Sequence, residues 1–211
     1  MSVSVLVMAK APRAGEVKTR LEPLLGPDGC ARLQGALIEA ATAWAADAAP
    51  GAAYLAYGGS REDLDPHVAE GVRCFADGRG DLGDRLAAAT AFVLRERSEP
   101  LIVVGVDMPI LTRAHAREAE AVLRGGADVI FGPALDGGYW LVGLARPVPD
   151  VFDLGGEWGG PAVLERSLER CAAAGLRTEL LGMQRDIDDP ADARALAGHP
   201  RLPAAVAEIL G

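Results

Sequence analysis

Short apolar runs recur along the whole chain, separated by segments of helical composition, and this alternation restricts the fold more than any other feature of the sequence. The runs fall at 3–8, 52–57, 72–75, 101–105, 128–131, 139–144 and 178–182 and are rich in Val, Ile, Leu and Tyr, as buried strands are. Ala- and Leu-rich segments near 28–47, 83–97, 112–124, 161–174 and 190–197 read as helices between them. Strand and helix in turn imply a parallel sheet covered on both faces. One connection breaks the pattern: Gly137-Gly138 leads into Tyr139–Leu144 with no helix before it, which predicts a hairpin or irregular turn rather than another crossover. The expected fold is therefore a three-layer α/β/α doubly wound, mostly parallel sheet with an antiparallel interruption. Thr112 is placed to cap the helix after Pro109, and Gly125-Gly126 to stop it. With 211 residues, 50% of them hydrophobic, and no repeat or linker, a single domain over 1–211 is expected.

Charge is distributed unevenly. The chain carries −9, yet residues 1–20 hold Lys10, Arg13, Lys18 and Arg20 against Glu16 alone; that is +3, so the remainder sums to −12. Concentrated cations in an acidic chain point to a small anionic ligand, most plausibly a polyphosphate, and the acidic balance argues against nucleic acid or an anionic membrane surface as partner. Cys30, Cys74 and Cys171 have no ligand or redox spacing and read as buried free thiols in a reducing compartment. Met1 leads straight into an apolar run, and no run reaches the roughly 18 residues of a membrane span, so a cytoplasmic protein is expected. His67, His115 and His199 lie outside the candidate motifs and read as surface residues; no Ser/His/Asp or Cys/His nucleophile arrangement is present.

In open parallel sheets, ligands bind beyond the carboxyl ends of strands. Lys10 to Arg20 follows the first run; Pro12 and Gly15 bend its backbone, and its amides and four cations suit phosphate oxygens better than a merely solvated loop requires. It has no P-loop pattern. Asp107 directly follows the run 101–105. Mg²⁺ takes oxygen ligands and keeps several waters, so one or two carboxylates with substrate phosphate suffice, and Thr112 is better placed than Asp107 as a cap. In Asp186-Ile187-Asp188-Asp189-Pro190, Asp186 and Asp188 share a side if extended, making Asp188 a second ligand, while Asp189 before Pro190 reads as a helix cap. The segment Gly132–Trp140 offers Asp136 for a hydroxyl or metal and Tyr139 for stacking, although a tight turn would use the same residues. Asp77–Arg85 enters a helix where a base or sugar edge could be read, and Trp158 is either a stacking residue or core.

These motifs resemble a family of uncharacterised bacterial transferases with the type A glycosyltransferase-like (nucleotide-diphospho-sugar transferase) fold. The matching segments are Ala9–Pro12 with Gly15 and Val17–Leu21, then Gly80–Gly83, Gly105–Pro109, Gly132–Tyr139 and Asp186–Pro190. Lys18-Thr19-Arg20-Leu21 is also similar to the phosphate loop of the 2-phospholactate guanylyltransferase group. The resemblance implies that Lys10, Arg13, Lys18 and Arg20 hold nucleotide phosphates, and that Asp107 and Asp188 hold Mg²⁺ or Mn²⁺. It further implies that Asp81, Gly83 and Arg85 lie near the base, and that Asp136, Gly137, Gly138, Tyr139 and Trp158 face the acceptor or sugar. Where the family usually shows Trp-Ser-Thr, this chain has Trp158-Gly159-Gly160, and the acceptor contacts of two hydroxyls are lost.

The leading expectation is a metal-dependent nucleotidyltransferase with Lys18 and Asp107 as its catalytic residues. An acceptor phosphate or hydroxyl attacks a nucleoside triphosphate, and pyrophosphate leaves. A glycosyltransferase using a nucleotide-diphospho-sugar is the alternative, lowered because only Asp107 precedes Met108-Pro109 where a paired Asp-x-Asp would be usual. A non-catalytic nucleotide-binding module is the third.

Overall fold

The computed structural model describes residues 3–211, so the first two residues of the expected domain lie outside the described part. Seven strands form one sheet: β1 (Ser4–Lys10), β2 (Ala53–Gly58), β3 (Arg73–Ala76), β4 (Leu101–Val104), β5 (Val129–Pro133), β6 (Tyr139–Leu144) and β7 (Thr178–Leu180). Their spatial order is β3-β2-β1-β4-β6-β5-β7. Every neighbouring pair is parallel except those of β6, which runs antiparallel to both β4 and β5. The fold is thus mixed α/β with a mostly parallel sheet and one antiparallel interruption, introduced by the expected hairpin.

Alternation along the strands divides the core into two layers. Val5, Val7, Ile102, Val104 and Ile130 face α1 (Glu22–Ala48) and α4 (Arg113–Arg124), where Leu33, Leu37, Trp44, Ala116 and Leu123 pack. Leu6, Tyr54, Val103, Phe131 and Val142 face α3 (Leu82–Glu96) and α5 (Val163–Ala173), meeting Leu86, Val93, Phe152 and Cys171. Each fully buried Leu, Ile or Phe contributes roughly 1.5–3 kcal/mol, so neither layer is dispensable.

Helix ends follow local chemistry. Thr112 is the N-cap of α4, and its backbone N–H donates to His115 Nδ1 at 3.1 Å, while Gly125-Gly126 ends the helix. Asp189 caps α6 (Pro190–Leu196), accepting from the amides of Ala191 at 2.7 Å and Asp192 at 3.0 Å. The expected helix near 28 begins earlier, because a turn over residues 22–25 joins it across a kink at Gly26, φ +67°, before Pro27. Two short helices, α2 (Arg61–Leu64) and α7 (Ala204–Leu210), were not expected, each being too short to carry a hydrophobic period.

Two readings of single residues are corrected. Cys30 and Cys171 are buried, but Cys74 on edge strand β3 is only partly covered, because edge strands have one neighbour. His115 is half-buried against Trp140, with ring centroids 5.3 Å apart, rather than a free surface residue, and burial lowers its pKa. Among the described residues, no helix is long and apolar enough to cross a membrane.

Candidate functional site at the carboxyl ends of β1 and β4

Successive strands β1, β2 and β3 proceed in one direction across the sheet, whereas β4 lies on the other side of β1. The loops leaving β1 and β4 therefore diverge, opening a crevice where doubly wound sheets bind ligands. A third segment closes it: after β7 the chain returns across this edge, and the Ile187 amide donates to the Asp107 carbonyl at 2.8 Å. Asp107 and Asp188, 81 residues apart in sequence, are brought together by that crossing.

Lys18 joins the three segments. Its Nζ lies 2.7 Å from Asp107 Oδ1 and 3.7 Å from Asp188 Oδ1, and it donates to the Ile187 carbonyl at 2.5 Å. The side chain is 5% exposed. Lys18 also adopts left-handed backbone geometry, φ 50° and ψ 34°, alone among the described non-glycine residues. Such a conformation costs about 1–2 kcal/mol for a side chain with a Cβ. The surrounding contacts hold it: the Leu21 amide and the Cys30 thiol both donate to the Lys18 carbonyl.

The remaining cations divide into two groups. Lys10, Lys18, Arg20 and Arg85 border a cleft of about 420 Å³, together with Glu16, Gln34, Asp77 and Leu82. Arg20 Nη1 meets Asp188 Oδ2 at 3.0 Å, and Lys10 donates to the Glu16 carbonyl at 3.0 Å. Arg85 pairs at 3.0 Å with Asp77, which is 7% exposed. Arg13 does not border the cleft; it turns outward to Asp63 at 2.9 Å and Glu16 at 3.7 Å. Of the four expected cations, Lys10, Lys18 and Arg20 border the cleft and Arg13 does not, while Arg85 joins them there.

Beyond Asp107 and Asp188 the crevice continues into a second cavity of about 310 Å³. Asp136, Gly138, Tyr139 and Trp158 line it, with Leu86, Val163, Gly159, Gly160 and Asp186; Met8, Leu82, Gly105, Asp107 and Asp188 border both spaces. Gly138 is held over the cavity by its amide, which donates to Asp136 Oδ1 at 2.8 Å.

Several expected site residues have structural roles instead. Asp81 caps α3 in a reciprocal pair with Asp84 and lines neither space, and Gly83 allows the segment 149–158 to approach: a Cβ there would overlap the Phe152 carbonyl. Gly137 likewise admits the Pro161 carbonyl and does not line the cavity. The Tyr139 ring packs into the core, 4.9 Å from Phe131 and 6.3 Å from Trp158, and burial raises its hydroxyl pKa well above the ordinary value. It forms wall, not an open stacking face. Trp158 is partly buried against the core, and its buried Nε1 has no hydrogen-bond partner. Sequence reasoning missed Gln34 as a lining residue, whereas Asp77, the first residue of the segment 77–85 singled out after the third run, does line the cleft.

Two of the carboxylates, Asp186 and Asp188, are raised. Burial, then Asp136 and the charges of Asp188 and Asp107, push Asp186 up to about 6, and burial with Asp107 raises Asp188 against the opposing pull of Lys18 and Arg20. This donor set fits a hard divalent cation, whose charge would relieve that repulsion, although among the described residues no three ligating side chains converge. Asp107 and Asp188 would supply two oxygens, with the ligand's phosphates and water supplying the others.

The family described as an uncharacterized protein conserved in bacteria (DUF2064) matches residues 40–159, more than half of the chain. The chain belongs to that family. No curated protein matches it. Among solved structures, this DUF2064 chain is similar to a provisionally described nucleotide-diphospho-sugar transferase from Desulfovibrio desulfuricans G20, at 26% identity and a TM-score of 0.85, covering 99% of this chain and 96% of that one. It also shares its fold with a cytidylyltransferase from Leptospira borgpetersenii (13% identity, TM-score 0.56, 93% and 85% covered). A third neighbour is Rv0371c of Mycobacterium tuberculosis H37Rv, solved with manganese (17% identity, TM-score 0.50, 93% and 98% covered). The solved neighbours of this DUF2064 chain include transferases of both the nucleotidyl and the nucleotide-sugar type.

Two expected results arise here. In titrations of Mg²⁺ and nucleotide followed by thermal shift, Arg13→Ala should change apparent affinity by less than about threefold, since its salt bridges are exposed and of little weight. Lys18→Met should weaken it by about 100-fold or more. A loss for Arg13→Ala equal to that for Lys18→Met would contradict the assignment. The second concerns pH. Because the folded state holds the Asp186 proton more tightly than the unfolded chain does, ionisation there weakens the fold progressively from pH 4 and fully above about 6. In EDTA, Asp186→Asn should therefore melt higher than the parent at pH 8, and the gap should close as pH falls through 6 toward 4. A gap that is independent of pH would exclude this account.

Proposed function

We propose that this protein is a metal-dependent transferase acting on an activated nucleotide, with nucleotidyl transfer from a nucleoside triphosphate as the leading reaction. The observation that carries the reading is Lys18, buried between Asp107 and Asp188 at the junction of a cation-lined cleft and a second cavity. The donor's phosphates lie along the cleft and its acceptor occupies the cavity, so that the α-phosphorus falls at the junction. The acceptor oxygen forms a bond to that phosphorus, the bond to the β-phosphate oxygen breaks, and pyrophosphate leaves. Lys10, Lys18 and Arg20 stabilise the charge accumulating on the leaving group, and their fixed positions avoid reorganisation at the moment of reaction. Arg85, held by Asp77, borders the far part of the cleft. A phosphate acceptor arrives ionised, whereas a hydroxyl acceptor gives up its proton, for which Asp136 and Asp186 are the carboxylates on that side.

Asp107 and Asp188 would hold Mg²⁺ or Mn²⁺, which neutralises phosphate charge and orients the donor when bound. A metal there would compete with Lys18 for the charge of both carboxylates, loosening the ammonium toward phosphate.

The likeness to the Desulfovibrio desulfuricans protein supports a second reading, glycosyl transfer from a nucleotide-diphospho-sugar. The same cleft would stabilise a nucleoside diphosphate leaving group. One experiment separates the two: incubation with Mg²⁺, nucleoside triphosphates or nucleotide-sugars, and a pool of small metabolites as acceptors. Pyrophosphate from triphosphates supports the first reading; nucleoside diphosphate from nucleotide-sugars alone replaces it with the second. Nucleotide-dependent thermal stabilisation without either product indicates a binding module.

A further inference from the structure

The second cavity has a charge character unlike that of the cleft beside it. Four carboxylates border it, Asp107, Asp136, Asp186 and Asp188, and among the described residues no Lys, Arg or His does. Two of these, Asp107 and Asp188, are paired with Lys18 and Arg20, which stand on the cleft side. Asp136 and Asp186 face the cavity with no cation to offset them. Its other walls are apolar: Leu86, Val163 and the partly buried Trp158. Gly159 and Gly160 carry no side chains to add a donor, and a Cβ at Gly160 would meet open space.

A phosphate or carboxylate entering such a space would meet the like charge of Asp136 and Asp186 in partly desolvated surroundings, with no Lys, Arg or His in the lining to pair with. A hydroxyl donates to a carboxylate without that repulsion, and an ammonium is attracted to it. The aromatic and aliphatic walls add affinity for an apolar ring or chain.

We infer that the acceptor of this protein is uncharged or cationic, a hydroxyl- or amine-bearing small molecule with an apolar portion, and carries no phosphate or carboxylate. This inference rests on the reading of the adjoining cleft as the donor site, and it selects one of the two acceptor classes which that reading leaves open. Asp136 and Asp186 enforce the selection, binding the acceptor's hydroxyl or amine and repelling anions.

The test uses the full-length protein with Mg²⁺ and nucleoside triphosphates or nucleotide-sugars, and matched probes that differ by one phosphate: glucose against glucose 1-phosphate, and ethanolamine against phosphoethanolamine. The unphosphorylated member should accelerate donor consumption at least about tenfold more than its partner, a discrimination typical of like-charge exclusion. Equal or greater acceleration by the phosphorylated member overturns the inference. Where neither member accelerates, the cavity's own field decides. Trp44 and Trp140 are buried, so the quenchable fluorescence belongs to Trp158, identified as the component lost in Trp158→Phe. Caesium should quench it at least about threefold more effectively than iodide, after correction for a free tryptophan amide, and Asp136→Lys should at least halve that ratio. Iodide quenching equal to caesium, or a ratio unmoved by Asp136→Lys, overturns the inference. Should Asp136→Lys fail to fold, Asp136→Asn replaces it, with a smaller fall in the ratio expected. Failure of the donor reading looks different: nucleotide with Mg²⁺ then gives no thermal stabilisation, while the quenching ratio, measured without nucleotide, stands.

Discussion

Replacing Asp107 with asparagine is expected to lower transferase activity by about 10³-fold, equivalent to about 4 kcal/mol of transition-state stabilisation, and to abolish the thermal stabilisation that nucleotide gives only with Mg²⁺. Asparagine keeps the shape and one acceptor oxygen, so the Lys18 ammonium retains a hydrogen bond in place of its 2.7 Å ion pair. Alanine is the harsher change. It leaves a Lys18 side chain that is 5% exposed with Asp188 at 3.7 Å and the Ile187 carbonyl as its remaining partners, and because the Asp107 carboxylate was itself 44% exposed, the loss in fold stability is about 1–3 kcal/mol. Comparing the two variants separates chemistry from folding. If Asp107→Asn keeps activity and metal-dependent stabilisation within threefold of the parent, Asp107 loses both its metal and its catalytic assignment.

The largest effect on stability is expected from Gly137→Ala. Gly137 has φ +92°, a conformation that residues with a Cβ avoid at a cost of about 1–2 kcal/mol, and the added carbon would overlap the Pro161 carbonyl. Backbone cannot yield as a flexible side chain can, and overpacking adds about 1–3 kcal/mol. Together these predict about 3–4 kcal/mol and a fall in Tm of roughly 10 °C for a chain of this length. Gly138→Ala is the control: its Cβ would meet Asp136 Oδ1 at 3.2 Å, a contact a side chain can relieve, and Gly138 does not require positive φ. Differential scanning calorimetry of both variants is the measurement. Equal losses would show that the approach of the Pro161 segment to the hairpin is not what demands glycine at 137.

The two glycines illustrate what can be read from residue order. Their presence predicted the hairpin between β5 and β6, because a glycine pair between apolar runs has a local cause. Which glycine is indispensable depends on Pro161, 24 residues away in sequence, and nothing local reports that approach. Asp81 shows the same limit. Its position after a strand suggested a role at the base, yet Asp84 three residues later makes a capping pair, and a capping motif was equally visible in the sequence. Arg13 stood among four cations with nothing to distinguish it from the others. Only Asp63, on a helix too short to be foreseen, draws it out of the cleft.

Strand and helix order, the parallel sheet with its single reversal, the caps at Thr112 and Asp189, and the candidacy of Lys18, Asp107 and Asp188 were all determined by the sequence itself. The periodicity of apolar residues and the chemistry of chain ends act over a few residues, and so they are written in residue order. The tertiary structure alone decided which charges meet. The return of the chain after β7 sets Ile187 against Asp107, buries Lys18 between two carboxylates in a strained backbone conformation, and divides one crevice into a cleft lined by both signs of charge and a cavity lined by carboxylates without Lys, Arg or His. Electrostatic interactions depend on distance through space, and the carboxylates of the second cavity come from three separate loops.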